Sequence, residues 1–84
     1  MAKTLLIVDD AAVVRQKVSD VARSIGWEVV GEANNGDEAV RKYAELRPSA
    51  VTLDLVMPES DGIHALRGIL AIDPNAKVIV VSAL

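Results

Sequence analysis

Short apolar runs alternate along the chain with longer stretches in which apolar residues recur every three or four positions. Four runs rich in aliphatic residues predict strands, at positions 5–8, 27–33, 50–54 and 77–82. The stretches between them predict three amphipathic helices. Asn35 and Asp61 are suited to cap the second and third helices, while Gly26 and Pro48 are suited to end the first and second. This alternation of strand and helix favours a parallel sheet with helices on its faces.

The handedness of the connections between parallel strands indicates which face of the sheet each helix covers. Crossovers between parallel strands are right-handed in about 98% of cases. If the second and third strands flank the first, the strand order is 2-1-3-4 and the chain reverses direction after the first helix. The first helix then covers one face alone, and the second and third helices cover the other. We therefore expect an incompletely covered sheet face and a fourth strand that lies at an edge.

Composition narrows the class of protein. The 84 residues allow one domain at most and are short even for that, and a hydrophobic share of 51% excludes an intrinsically disordered chain. A net charge of −3, with one Trp, one Tyr and no Phe, disfavours nucleic-acid binding. The absence of cysteine excludes disulfides and thiolate metal sites. No apolar run approaches the ~20 residues that cross a bilayer, so we expect a cytoplasmic protein without membrane contact.

Three acidic residues are the candidates for chemistry. Asp54 interrupts an apolar stretch, and Pro58 ends the strand close to it. Asp9 and Asp10 directly follow the first strand, so in the predicted order all three acids meet at the carboxyl ends of neighbouring strands. Such carboxylates suit Mg²⁺, and an aspartate beside the metal can attack a phosphoryl group. The alternative is that Asp9 or Asp10 only caps a helix and Asp54 is only a strand-end acid.

The chain resembles a bacterial response-regulator receiver domain, and most closely the chemotaxis regulators. The resemblance rests on residues 6–10, 31–33, 35–36, 54–58, 61–62 and 80–83 and covers the whole chain. It implies the flavodoxin-like fold, a three-layer α/β/α arrangement, here in a partial form with sheet order 2-1-3-4 and three helices. It also implies a signalling role in a two-component system, with a sensor histidine kinase as phosphodonor and a downstream protein target.

The same resemblance implies roles for individual residues. Asp54 matches the phosphoacceptor, and Asp9, Asp10 and the backbone carbonyl of Met57 match the ligands of Mg²⁺. Ser82 matches the switch hydroxyl that turns toward the phosphate. The residue after it, alanine, matches a small residue that leaves room for this movement.

Receiver domains normally continue with a fourth helix, a fifth strand that carries a phosphate-binding lysine, and a fifth helix. We therefore expect residues 1–84 to form a receiver domain truncated after the fourth strand. Lys3 and Lys77 stand at the wrong ends of their strands to replace that lysine. The expected consequences are weakened Mg²⁺ binding and poor phosphorylation.

Two other hypotheses remain open at this stage. The chain could act as a structural unit that forms a homo-oligomer through the uncovered sheet face or the fourth-strand edge. An aspartate-based phosphatase fits the nucleophile but lacks the second acid two residues later, where Val56 stands. We expect no enzyme activity beyond self-phosphorylation and dephosphorylation.

His64 and the dispersed basic residues, among them Arg15, are interpreted as surface residues.

Overall fold

The computed structural model describes residues 3–81. The elements follow in the order β1 (Thr4–Val8), α1 (Ala12–Ser24), β2 (Glu28–Ala33), α2 (Gly36–Leu46), β3 (Ala50–Leu53), α3 (Asp61–Ile72) and β4 (Val78–Val80). A single 3₁₀ turn, Pro58–Ser60, directly precedes α3. The alternation expected from the sequence is therefore confirmed, with β4 shorter than its apolar run.

The four strands form one parallel sheet in the order β2-β1-β3-β4. This is the order expected from the sequence, and it is that of the flavodoxin-like receiver fold. Leu6 pairs with Val51 across the two central strands. Within residues 3–81, β2 and β4 form the edges, as expected for β4.

The helix ends show which local predictions were correct. The Asn35 side chain accepts a hydrogen bond of 2.8 Å from the backbone N–H of Glu38, which confirms the N-cap of α2. Gly26 has φ of +87°, the left-handed conformation expected after the end of α1. The prediction that Asp61 caps α3 was wrong, because the preceding 3₁₀ turn makes Asp61 the first residue of the helix.

One face of the sheet is packed by α2 and α3 together. Its core consists of buried residues from both helices, from β1, β2 and β3, and from the loop after β3: Leu6, Val8, Ala33, Ala39, Tyr43, Val51, Leu53, Met57, Ala65 and Ile69. The two helices approach closely at Gly68, where a Cβ atom would lie 2.4 Å from Cγ2 of Val40. Any side chain at position 68 would force Val40 to shift, so Gly68 permits the close packing of α2 and α3.

Within residues 3–81, the other face is packed by α1 alone. Its core is smaller and consists of Leu5, Ile7, Ala22 and Ala50. Beside α1 lies an open apolar groove of about 390 Å³. The helix lines it with Val18, Val21 and Ala22, its C-cap residue Ile25 adds to this side, and the sheet contributes Leu5, Thr52 and Ile79. The incompletely covered face expected from topology is present in the part of the chain that the structure describes.

The described residues contain no helix that is both long and apolar enough to cross a membrane.

Candidate functional site

The carboxyl ends of β1 and β3 carry the three candidate acids. Asp9 and Asp10 follow β1 directly, and Asp54 follows β3. The backbone N–H of Asp54 donates to the carbonyl of Val8 at 3.0 Å, and that of Asp9 donates to the carbonyl of Ala33 on β2 at 3.1 Å. These bonds continue the pairing of the sheet past the last strand residues, so strand register fixes where the acids stand.

The three side chains form one cluster. Asp9, Asp10 and Asp54 each offer a carboxylate oxygen, and these oxygens lie within 4.8 Å of one another. Asp9 is buried, Asp54 is half-buried and Asp10 is exposed. The cluster therefore opens to solvent on one side and is walled by the sheet on the other. The convergence predicted from the strand order is present.

Local hydrogen bonds orient two of the carboxylates. The backbone N–H of Ala11 donates to Oδ1 of Asp9 at 2.8 Å, and the N–H of Val56 donates to Oδ1 of Asp54 at 2.8 Å. Both bonds run from a residue two positions later and form Asx-type turns. The N-cap of α1 is Ala11, and no side chain among the described residues caps the helix. The interpretation of Asp9 or Asp10 as a helix cap is therefore wrong.

The environment of Asp9 disfavours its charged form. Burial raises the pKa of the Asp9 carboxyl above its usual value of 3.8, the hydrogen bond from Ala11 opposes this, and the carboxylates of Asp54 and Asp10 raise the pKa further. A cation would remove the last effect by neutralising the cluster. Three oxygen donors of this kind fit a hard divalent cation such as Mg²⁺ rather than a metal that prefers nitrogen or sulfur ligands.

A glycine sets the position of the loop after β3. A Cβ atom on Gly62 would lie 2.5 Å from Cα of Leu55 and 2.6 Å from the carbonyl oxygen of Asp54. Only glycine lets the first turn of α3 approach the backbone of Asp54 so closely. The sequence placed Gly62 at a helix start but gave no sign of this contact, because the two segments meet only in the folded chain.

The remaining predicted site residues are placed as follows. Met57 lies in the same loop as Asp54 with its side chain buried in the core under α3, and the role of its carbonyl stays a prediction. Ser82 and the alanine after it lie outside the described residues. His64 is exposed and pairs with Asp37 at 2.9 Å, consistent with a surface residue.

Sequence reasoning missed one residue next to the site. Arg15 was interpreted as part of a solvated helix face, but its side chain is only 18% exposed. Its Nη1 donates to the backbone carbonyl of Asp9 at 2.7 Å. The one available signal was its spacing, because Arg15 stands one turn into the helix that begins beside Asp10.

Comparison with known proteins places this chain in a family. The response regulator receiver domain family matches residues 5–84. The chemotaxis protein CheY of Thermotoga maritima is 56% identical over 84 residues, which are the whole of this chain and 70% of that protein. CheY of Bacillus subtilis is 51% identical over the same length, again 70% of the relative.

Solved structures agree. The structure of a CheX–CheY–BeF₃–Mg²⁺ complex from Borrelia burgdorferi gives a TM-score of 0.90 at 40% identity, over 96% of this chain. The response regulator domain of Thermotoga maritima CheB gives 0.90 at 41% identity over the whole chain. The chain spans 62% and 63% of the length of those two solved chains. On fold, site and similarity together, this chain belongs to the response regulator receiver domain family.

Proposed function

We propose that the chain is a phosphoacceptor receiver domain in which Asp54 accepts a phosphoryl group from a phosphohistidine of a sensor kinase. The observation that carries this proposal is the cluster of three carboxylates within 4.8 Å, drawn from two neighbouring strands at the edge of the sheet where ligands bind. A cluster of this kind, with a buried acid whose pKa is raised, is typical of a functional site rather than of a solvated surface.

In the proposed reaction a carboxylate oxygen of Asp54 attacks the phosphorus atom and the bond from phosphorus to the donor imidazole breaks. The imidazole nitrogen keeps the bonding electron pair, and Asp54 becomes an acyl phosphate. The hydrogen bond from the N–H of Val56 fixes the plane of the Asp54 carboxylate for this attack. The cluster opens to solvent beside the exposed Asp10, where a donor protein can approach.

Asp9, Asp10, Asp54 and the backbone carbonyl of Met57 would hold Mg²⁺. When bound, the ion would neutralise the carboxylates and offset negative charge on the phosphoryl oxygens. The comparison with a relative described as a complex with Mg²⁺ and BeF₃ supports this assignment. That relative is also described as a complex with another protein, CheX, which supports a role through protein partners.

The test is labelling by a small phosphodonor, such as acetyl phosphate, with and without Mg²⁺. Wild type should incorporate one acid-stable, base-labile phosphoryl group in the presence of Mg²⁺, and Asp54→Asn should incorporate none. Asp20→Asn is the matched control, because Asp20 is an exposed acid on α1 outside the cluster. Labelling of Asp54→Asn at the wild-type rate would contradict the proposal.

We further propose that labelling of this 84-residue chain is slow. Lys3 and Lys77 precede β1 and β4, at the edge of the sheet opposite the cluster, so neither can offset the charge of a phosphoryl group on Asp54. Labelling at the rate of the longer relatives would overturn this part of the proposal and leave the phosphoacceptor itself intact.

A second candidate function is self-assembly through the groove beside α1. Val21 and Ile25 are 63% and 69% exposed there, and Ile79 on the edge strand is 52% exposed. Apolar patches of this kind mark interaction surfaces, so we propose that a second copy of the chain covers the groove. Sedimentation should show a dimer that Val21→Glu converts to a monomer. A wild-type monomer at high concentration would rule this candidate out.

A further inference from the structure

A polar bridge ties the first turns of α1 to the ends of β1 and β2. Nη1 of Arg15 donates to the backbone carbonyl of Asp9 at 2.7 Å, and its Nε donates to Oε1 of Glu32 at 3.0 Å. The guanidinium thus spans the end of β1 and the end of β2. The side chain of Lys42 in turn donates to the backbone carbonyl of Glu32, which holds the second anchor in place.

The first anchor lies in the backbone of the acidic cluster itself. The carbonyl of Asp9 belongs to the peptide unit that joins Asp9 to Asp10, so the hydrogen bond from Arg15 fixes the plane of that peptide. The N–H of Asp9 is held by Ala33, and its carboxylate is held by the N–H of Ala11. Asp9 is therefore fixed at its amide, its carbonyl and its carboxylate, and Arg15 supplies the bond that also sets the direction of Asp10.

We propose that Arg15, anchored by Glu32, is a positioning residue that presets the Asp9 and Asp10 carboxylates for a divalent cation. This inference rests on the proposed function, since it takes the cluster to be the cation site. Arg15 is suited to the task because its rigid planar fork donates in two fixed directions at once, whereas lysine offers only a single flexible point charge. Groups that orient metal ligands without touching the metal typically contribute 10- to 100-fold to affinity.

If Arg15 acted only through its charge, its removal would change the affinity for Mg²⁺ in the opposite direction. A positive charge beside the cluster repels Mg²⁺, so loss of that charge alone would tighten cation binding. Loss of positioning would weaken it. The two roles can therefore be separated with one pair of variants, Arg15→Lys, which keeps the charge and loses the fork, and Arg15→Gln, which loses both.

The experiment is calorimetric titration of the whole 84-residue chain with Mg²⁺ at constant ionic strength. We expect both Arg15→Lys and Arg15→Gln to weaken binding about 10-fold. Glu32→Gln should weaken it less, because the bond to Asp9 remains. Arg23→Lys is the matched control, since Arg23 lies exposed on the same helix and should leave binding unchanged. Tighter binding by Arg15→Gln with no change in Arg15→Lys would overturn the proposal, as would unchanged binding in both.

A second measurement on the metal-free chain separates this inference from the proposed function. The amide of Ala11 is bonded to the Asp9 carboxylate, so Arg15→Lys should speed its hydrogen exchange while the thermal midpoint changes little. Unchanged exchange would overturn the positioning role. If wild type binds no Mg²⁺ at all, the proposed function fails, and the exchange rate still shows whether Arg15 orders this loop.

Discussion

The two faces of the sheet differ in how completely they are packed, although the same strands build both. Leu6 and Val8 point into a core that α2 and α3 close from above. Leu5 and Ile7 point to the other side, where α1 is the only covering helix within residues 3–81. Two helices exclude water from the first face, and one helix leaves a groove on the second. Alternation along a single strand thus supplies aliphatic side chains of similar size to two faces that differ in how completely they are packed.

The packed face should show the largest effect of mutation. Ile69→Ala removes a fully buried side chain between α3 and the sheet, and we expect a loss of about 2–5 kcal/mol in the free energy of unfolding. The same chemical change on the groove, Ile25→Ala, removes a side chain that is 69% exposed and should cost less than about 0.5 kcal/mol. Denaturant unfolding at low protein concentration measures both. Equal losses would show that the groove is covered in solution.

Mutation at the contact between α2 and α3 should cause the next largest loss of stability. In Gly68→Ala the new methyl group would meet Val40, and we expect a net loss of about 1–3 kcal/mol despite the better helix propensity of alanine. Val40→Ala makes room for it, so the double variant should regain part of the loss. A double-mutant cycle measures this coupling, and simple additivity of the two changes would argue against close packing.

On the groove side a substitution should increase stability. The hydroxyl of Thr52 is buried there without a hydrogen-bond partner among the described residues. Thr52→Val keeps the shape and removes the unpaired group, so we expect a gain of about 1 kcal/mol, or about 4–8 °C in thermal midpoint.

Thr4→Val provides the contrast for this change, because the hydroxyl of Thr4 accepts a hydrogen bond of 2.8 Å from the N–H of Ser49. That variant should lose stability where Thr52→Val gains it. A loss in both would mean that the Thr52 hydroxyl has a partner in solution.

Mutation in the acidic cluster, at the carboxyl ends of β1 and β3, should give the smallest change in the free energy of unfolding. Burial and the neighbouring acids raise the folded-state pKa of Asp9 above 3.8. Between pH 3.8 and the folded-state pKa, the folded chain therefore binds more protons than the unfolded chain. The resulting cost in stability is present above the folded-state pKa and disappears as pH falls below 3.8. Asp9→Asn should therefore stabilise the metal-free chain at pH 7, by less than about 1 kcal/mol, and lose this advantage in acid.

Thermal unfolding between pH 7 and pH 3, a range that extends below 3.8, measures this dependence. The Asp20→Asn control should show no such gain, since Asp20 is exposed and lies outside the cluster. A gain for Asp9→Asn that stays constant over the whole range would contradict the assignment to Asp9. In the presence of Mg²⁺ the order should reverse, with wild type more stable, because the variant loses one ligand.

Local signals predicted most of the fold because they depend on few residues. The apolar runs located all four strands, and Asn35 marked the start of α2 correctly. The prediction that Asp61 caps α3 was wrong, because the 3₁₀ turn ahead of α3 depends on how the loop after β3 packs and not on the capping preference of one residue. Even the convergence of Asp9, Asp10 and Asp54 followed from strand order alone, since parallel strands end at a common edge.

The sequence by itself determined the elements, because hydrophobic period acts through neighbouring residues. For the strand order 2-1-3-4, crossover handedness then determined which face each helix covers, and the shared direction of parallel strands determined the edge at which the acids meet. Only the tertiary structure decided the close approach of Gly62 to Asp54 and the bridge from Arg15 to Asp9 and Glu32. Both contacts join residues from different elements at distances of a few ångströms. Such distances depend on how whole helices settle on the sheet, which no local pattern encodes.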